Sequence, residues 1–116
     1  MTSSQAAEVA LAGLPDEEKA ASAVYVTAGV VNPEEDLFAG RDRVAVEVPG
    51  YLVFVDLEPR ASWGHPCVYL LVHADESVTR LQARFPPSRA DLRLVSRGAG
   101  VEDWMLLTER AISGSG

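Results

Sequence analysis

The chain has 116 residues, of which 47% are hydrophobic and 23% charged. That is the length of a single globular domain, and the composition is too apolar for a disordered tail. Seventeen acids against ten bases give a net charge of −7, so nucleic-acid binding, which relies on a basic surface to displace counterions, is not expected.

Cys67 is the only cysteine, so no disulfide forms within the chain and a hydrophobic core must carry the fold. Residues 1–11 have no positive n-region and include Glu8, which does not read as a secretory signal. No apolar run approaches the ~20 residues of a bilayer span. The expectation is a cytoplasmic protein without membrane contact. Nine of the ten bases are arginine; with many Ala and Val residues, this bias suggests a GC-rich bacterial source. Residues 113–116, Ser-Gly-Ser-Gly, read as a flexible tail or linker after a single domain spanning 1–112.

In chain order, Ser3 or Ser4 can cap a first helix running through Ala12. Gly13 is placed to end it in a left-handed conformation, and Pro15 blocks continuation. Asp16, Glu17 and Glu18 suit the positive end of a second helix. The reading favoured here extends that helix to Thr27, with Ala20, Ala23, Val24 and Thr27 on one face. The competing reading makes Val24 to Val31 a strand, from its Val, Tyr and Thr content. Asn32-Pro33-Glu34-Glu35 has the residues of a capping box, predicting a short helix stopped by Gly40 and docked through Leu37 and Phe38.

From Arg43 onward the period changes to that of strands. Val44, Val46 and Val48 alternate with Ala45 and Glu47, predicting a half-buried strand. Tyr51 to Leu57 is nearly all apolar, as in a strand covered on both faces. Pro66 to Ala74 has the same character, with Val68, Leu70 and Val72 sharing a face. A turn at Asp75-Glu76-Ser77 leads to a strand from Val78, with Leu81, Ala83 and Phe85 inward, ended by Pro86-Pro87. Asp91 to Arg97 is the last strand, carrying Leu92 and Leu94. Glu102 to Ile112 reads as a helix through Trp104, Leu107 and Ala111, with a strand as the alternative. Helices first and strands after define an α+β class: N-terminal helices packed on a curved antiparallel sheet of about five strands.

The charge is uneven. Residues 1–40 hold seven acids and one base, Lys19, for a net −6, whereas residues 79–97 hold five arginines and one acid for a net +4. In the strand reading Arg80 and Arg84 share a face, as do Arg93 and Arg97 on the next strand, both pairs opposing the apolar set. If the two strands pair, four guanidinium groups gather on the outer face. The simplest account is a solvated arginine face. The sharper one is a binding strip for an acidic partner or for the acidic half of a second copy, since clustered like charges call for a counter-charge.

Trp63, His65 and Cys67 fall together in the loop between the two most apolar strands. A Cys67 nucleophile assisted by His65, itself oriented by Asp56, would be a thiol-hydrolase arrangement. Catalytic Cys and His usually come from separate segments, however, and no oxyanion turn follows Cys67. The plainer reading makes Cys67 a small buried hydrophobe opening a core strand, with Trp63 covering the sheet edge. His65, His73, Cys67 and Asp75 lack zinc-type spacing, so no metal is expected, and no dinucleotide or phosphate fingerprint implies a cofactor.

The function expected from these features is a non-catalytic protein-interaction or adaptor module. It would self-associate or bind an acidic partner through Arg80, Arg84, Arg93, Arg97 and Trp63. The alternatives are a small-ligand-binding or enzymatic α+β cone, with its pocket between the N-terminal helices and Tyr51, Phe54, Tyr69 and Phe85, and the Cys67-dependent hydrolase.

Overall fold

The computed structural model describes residues 1–59 and 65–98. The expected final element at 102–112, the 113–116 tail and Trp63 lie outside the described residues. Two N-terminal helices, α1 (Ser3–Gly13) and α2 (Asp16–Ala21), precede β1 (Ala23–Val31). A two-residue hairpin, β2 (Phe38–Ala39) and β3 (Asp42–Arg43), follows. Then come β4 (Gly50–Asp56), β5 (Cys67–Val72), β6 (Val78–Ala83) and β7 (Leu92–Arg97). The main sheet has five strands, all pairs antiparallel, in the order β6-β5-β4-β1-β7. It is open, with β6 and β7 at its edges. This is the expected α+β class, helices first and an antiparallel sheet after.

Helix α1 starts one residue earlier than the serines suggest. Thr2 is the N-cap: its hydroxyl accepts from Gln5 N–H at 3.1 Å, and the Gln5 side chain accepts from Thr2 N–H at 2.7 Å. Those two bonds satisfy amides that the first turn leaves without partners. Gly13 remains helical and Leu14 ends the helix in an extended conformation, so the left-handed stop expected at Gly13 is not used. Ala6, Ala7, Ala10 and Leu14 are buried against one sheet face. Three alanines on that stripe let the helix axis lie close to the strands.

The predicted helix from Asp16 to Thr27 is corrected: it stops at Ala21, and β1 begins at Ala23. A helix would bury one stripe of this segment. As a strand between β4 and β7 it buries Val24, Val26, Thr27 and Val31 and gains ladder bonds on both sides. Tertiary pairing therefore overrides the helical signal of the preceding acids. The ladder to β4 slips between Val26 and Val30. Buried Thr27 fills the slip: its hydroxyl accepts from Leu52 N–H at 3.1 Å and donates to Gly29 C=O at 2.8 Å.

The helix expected after Asn32 is also corrected. Residues 33–35 form a turn in which Glu35 N–H donates to Asn32 C=O at 3.1 Å, and Glu35 Oε1 accepts from Asn32 N–H at 3.2 Å. Only the Glu35 half of the capping box forms; Glu35 N–H bonds the Asn32 backbone, not its side chain, and the chain then diverts into β2. Leu37 C=O is claimed by Val44 N–H across the β2–β3 hairpin. Gly40 sits in that hairpin at φ +66°, under the ring of Phe85, where any Cβ would come within 2.7 Å of it. Phe85 is consequently an exposed cover over the hairpin, not the inward residue expected.

Val44 to Val48 is no strand either; after β3 the chain runs irregularly to Pro49. Val46 is nevertheless buried and Val44 half-buried against the sheet. Alternation reports which side of a chain meets the core, not whether its backbone has a ladder partner.

The core lies in two layers. Val24, Val26, Val53, Val55, Val68, Leu70 and Val72 face α1. Leu52, Phe54, Cys67, Tyr69 and Leu71 face the opposite way, under Val31, Leu37, Ala39 and Val46 of the 31–46 segment. Both faces of β4 and β5 are thus covered, which is why they read as unbroken apolar runs.

Candidate functional site

Cys67 opens β5 opposite Asp56 of β4 and is buried. His65 Nε2–H donates to Asp56 Oδ1 at 2.7 Å, with both side chains largely withdrawn from solvent. The Asp56–His65 contact considered in the hydrolase reading therefore exists. Cys67 Sγ donates to Phe85 C=O at 3.6 Å. Burial, and then the Asp56 charge, push the Cys67 thiol up to about 11. A nucleophilic cysteine needs the opposite shift. This corner holds its proton on sulfur and its histidine on a carboxylate, an arrangement suited to pinning the strand end. Tyr69 reinforces it by donating its hydroxyl to Phe85 C=O at 2.5 Å.

His73, at the other end of β5, is buried as well. Its Nδ1–H donates to Pro49 C=O at 2.9 Å and its Nε2 accepts from the Thr79 hydroxyl at 2.8 Å. It ties the segment before β4 to β6. No three His, Cys, Asp or Glu side chains among the described residues are arranged to hold a metal.

The pocket expected between the helices and Tyr51, Phe54, Tyr69 and Phe85 does not assemble. Tyr51 packs on the α1 face, Phe54 and Tyr69 on the opposite face, and Phe85 outside. Phe54 instead stacks on Tyr25 and meets Tyr69 edge-on, with ring centroids 5.8 and 5.9 Å away.

The arginines are distributed differently from the expected strip. β6 and β7 do not pair; they are the two opposite edges of the sheet. Arg80 lies opposite Leu70, hence on the α1 face. It forms a bidentate pair with Glu18 of α2 at 2.7 and 3.2 Å. On β7 the ladder slips between the Val24–Ser96 and Tyr25–Leu94 pairs. That extra residue reverses parity, so Arg93 joins the face of Val26 while Arg97 joins that of Ala23. Arg93 reaches Ser4 Oγ at 3.3 Å. Arg84, Arg93 and Arg97 have no carboxylate partner among the described residues. The four guanidinium groups do not form one cluster.

Sequence reasoning passed over the most buried arginine among the described residues. Arg89 forks onto both oxygens of Asp91, at 2.9 and 2.8 Å, and bonds Glu35 at 2.7 Å. The Arg89 hydrogen bond, followed by the Gly29 amide, holds the Asp91 carboxyl down at about 2. Opposite charges two residues apart, Arg89 and Asp91, were the available signal. The acidic N-terminal third therefore answers the basic segment within one molecule, through Glu18–Arg80 and Glu35–Arg89.

What stays open is β6. It pairs only with β5, and its residues are exposed or half-buried. The ladder is anchored where His73 N–H donates to Ser77 C=O at 2.9 Å. In an antiparallel ladder bonded pairs alternate, so Thr79, Leu81 and Ala83 turn their amides toward β5. Val78, Arg80 and Gln82 turn theirs outward. Beside this edge lies a groove of about 370 Å³ lined by Ala39, Val44, Tyr69, Leu81 and Ala83, with Arg43 and Arg84 also contributing. Val78, Phe38 and Phe85 are exposed nearby.

The fold and its surfaces define an open-edged α+β sheet protein. Comparison of the chain with protein-family models, curated proteins and solved structures gives no match. No helix among the described residues is long and apolar enough to cross a membrane.

Proposed function

We propose that the chain is a non-catalytic protein-interaction module that engages its partner along the arginine-bearing β6 edge. One observation carries this reading: β6 presents the outward amides and carbonyls of Val78, Arg80 and Gln82 with no strand, helix or loop among the described residues bonded to them. Unpaired edges are templates for another chain unless blunted by proline, bulges or cover, and strand addition is a recurrent recognition mode. Arg84 supplies a charge with no carboxylate partner among the described residues at one end of that edge. Arg93 and Arg97 belong to the other edge and are outside this interface. A bacterial cytoplasmic setting is part of the reading, supported by the excess of arginine over lysine and the lone cysteine.

The test uses Gln82→Pro, which removes an outward N–H without touching the ladder to β5, and Arg84→Ser. Immobilised wild-type chain is expected to retain a partner that neither variant retains, read by mass spectrometry of the captured material. Equal retention by all three chains rejects the reading.

A further inference from the structure

We infer that the partner at β6 is a second copy of this chain, joined edge to edge through antiparallel β6 strands in a register centred on Leu81. This rests on the interaction-edge reading above and names its occupant.

Parity restricts the register first. Side chains of directly opposed residues share a face, and outward-turned residues must meet outward-turned residues. Even-numbered positions of β6 therefore oppose even-numbered positions of the second copy. Charge restricts it further. A register centred on Arg80 sets two guanidinium groups against each other at the two-fold axis, a destabilising pair. One centred on Thr79 requires Glu76 to join the ladder, but Glu76 sits in the turn at φ 69° and its N–H is bonded to His73 C=O. Centring on Leu81 avoids both conflicts. Arg80 then exchanges bonds with Gln82 of the second copy in each direction, and Thr79 faces Ala83.

The ends of the edge are complementary in that register. Asp75 and Glu76 make the turn before β6 acidic, whereas Arg84 follows the strand at its far end. An antiparallel two-fold places the acidic end of one copy beside the basic end of the other. Arg84 C=O accepts from His65 N–H at 2.9 Å, so the shared ladder ends at Ala83, and the Arg84 side chain just beyond it comes beside the Asp75–Glu76 turn of the second copy, within reach of a long side chain. Half-buried Leu81 meets its own equivalent at the axis on the groove face. The contact is isologous and closes at two copies, so it ends in a dimer and not a fibre.

Light scattering after size exclusion is expected to show a concentration-dependent dimer for wild type and a monomer for Gln82→Pro. Arg84→Glu and Glu76→Arg should each weaken dimerisation by about tenfold at low salt, and the double variant should recover it. In a Cys67→Ser background, Leu81→Cys should form a disulfide-linked dimer on mild oxidation. Substituting cysteine at Thr79 instead should not, because Thr79 faces Ala83. Circular dichroism confirms that each variant is folded. A monomer at every concentration overturns the second-copy inference. If Gln82→Pro still abolishes capture of another protein in that case, the edge reading survives and only its occupant changes. A dimer indifferent to Gln82→Pro overturns both.

Discussion

The two edges of the sheet are handled in opposite ways. At β7 the ladder carries a bulge between Leu94 and Ser96, and α2 packs against the strand. Gly98 N–H, just beyond β7, donates to Ser22 C=O at 2.9 Å. At the start of the strand, Asp91 bonds Ala28 N–H through its backbone and Gly29 N–H through its side chain. β6 has no bulge and no proline, and apart from the Glu18–Arg80 pair with α2 no element among the described residues is bonded to it on its outer side. A bulge, a helix and a half-buried charge network blunt one edge against further pairing, while β6 carries no bulge or proline.

Five substitutions break or sharpen that contrast. The largest effect is expected from Gly98→Ala. A Cβ there would lie 2.1 and 2.2 Å from the carbonyl oxygens of Ala20 and Lys19. Backbone must move, and urea denaturation should show a loss of about 3 kcal/mol or more.

Asp91→Asn comes next, at about 1–2 kcal/mol, because it weakens the Arg89 fork and leaves Arg89 only partly answered by Glu35. The same group predicts a pH dependence. Its carboxyl is depressed from 3.8 to about 2 in the folded chain. Its stabilisation is therefore complete above pH ~4 and is lost as pH falls through ~2. Since Asp91 keeps about a third of its side chain exposed, the contribution is discounted to about 1 kcal/mol. Asp91→Asn should remove that part of the acid-side slope.

Tyr69→Phe deletes the bond to Phe85 C=O and should cost about 1 kcal/mol. It tests the anchor of the segment after β6 without touching the free edge. Smallest in stability are Gln82→Pro and Arg84→Ser, both within about 1 kcal/mol. Their effect should appear in association alone. If they destabilise the chain as much as Gly98→Ala is expected to, β6 is an integral edge and the contrast collapses.

Legibility in the sequence followed the type of signal. β4, β5 and the hairpin into β6 were readable because apolar runs bounded by turn residues need little outside information. The β1 segment was misread because three acids after Pro15 give a true helix start, and nothing local says that the helix ends after six residues. Of the Asn32 capping residues only the Glu35 side chain makes its bond, and the hairpin takes the chain onward. The Cys67 corner is legible as a buried strand opening, whereas the Asp56–His65 contact enters the sequence reading only as part of the hydrolase arrangement. The arginine strip was not legible, since it depended on which strands are neighbours.

By itself the sequence determined the class: helices first, then antiparallel strands, with two strands covered on both faces. It also determined the uneven charge. Tertiary structure decided that β1 enters between β4 and β7, and so drives β6 and β7 to opposite edges. The physical reason is that periodicity fixes which side of a segment is buried, while strand order depends on ladder partners distant in sequence. Only that order separates Arg80 and Arg84 from Arg93 and Arg97, closes one edge and leaves the other free.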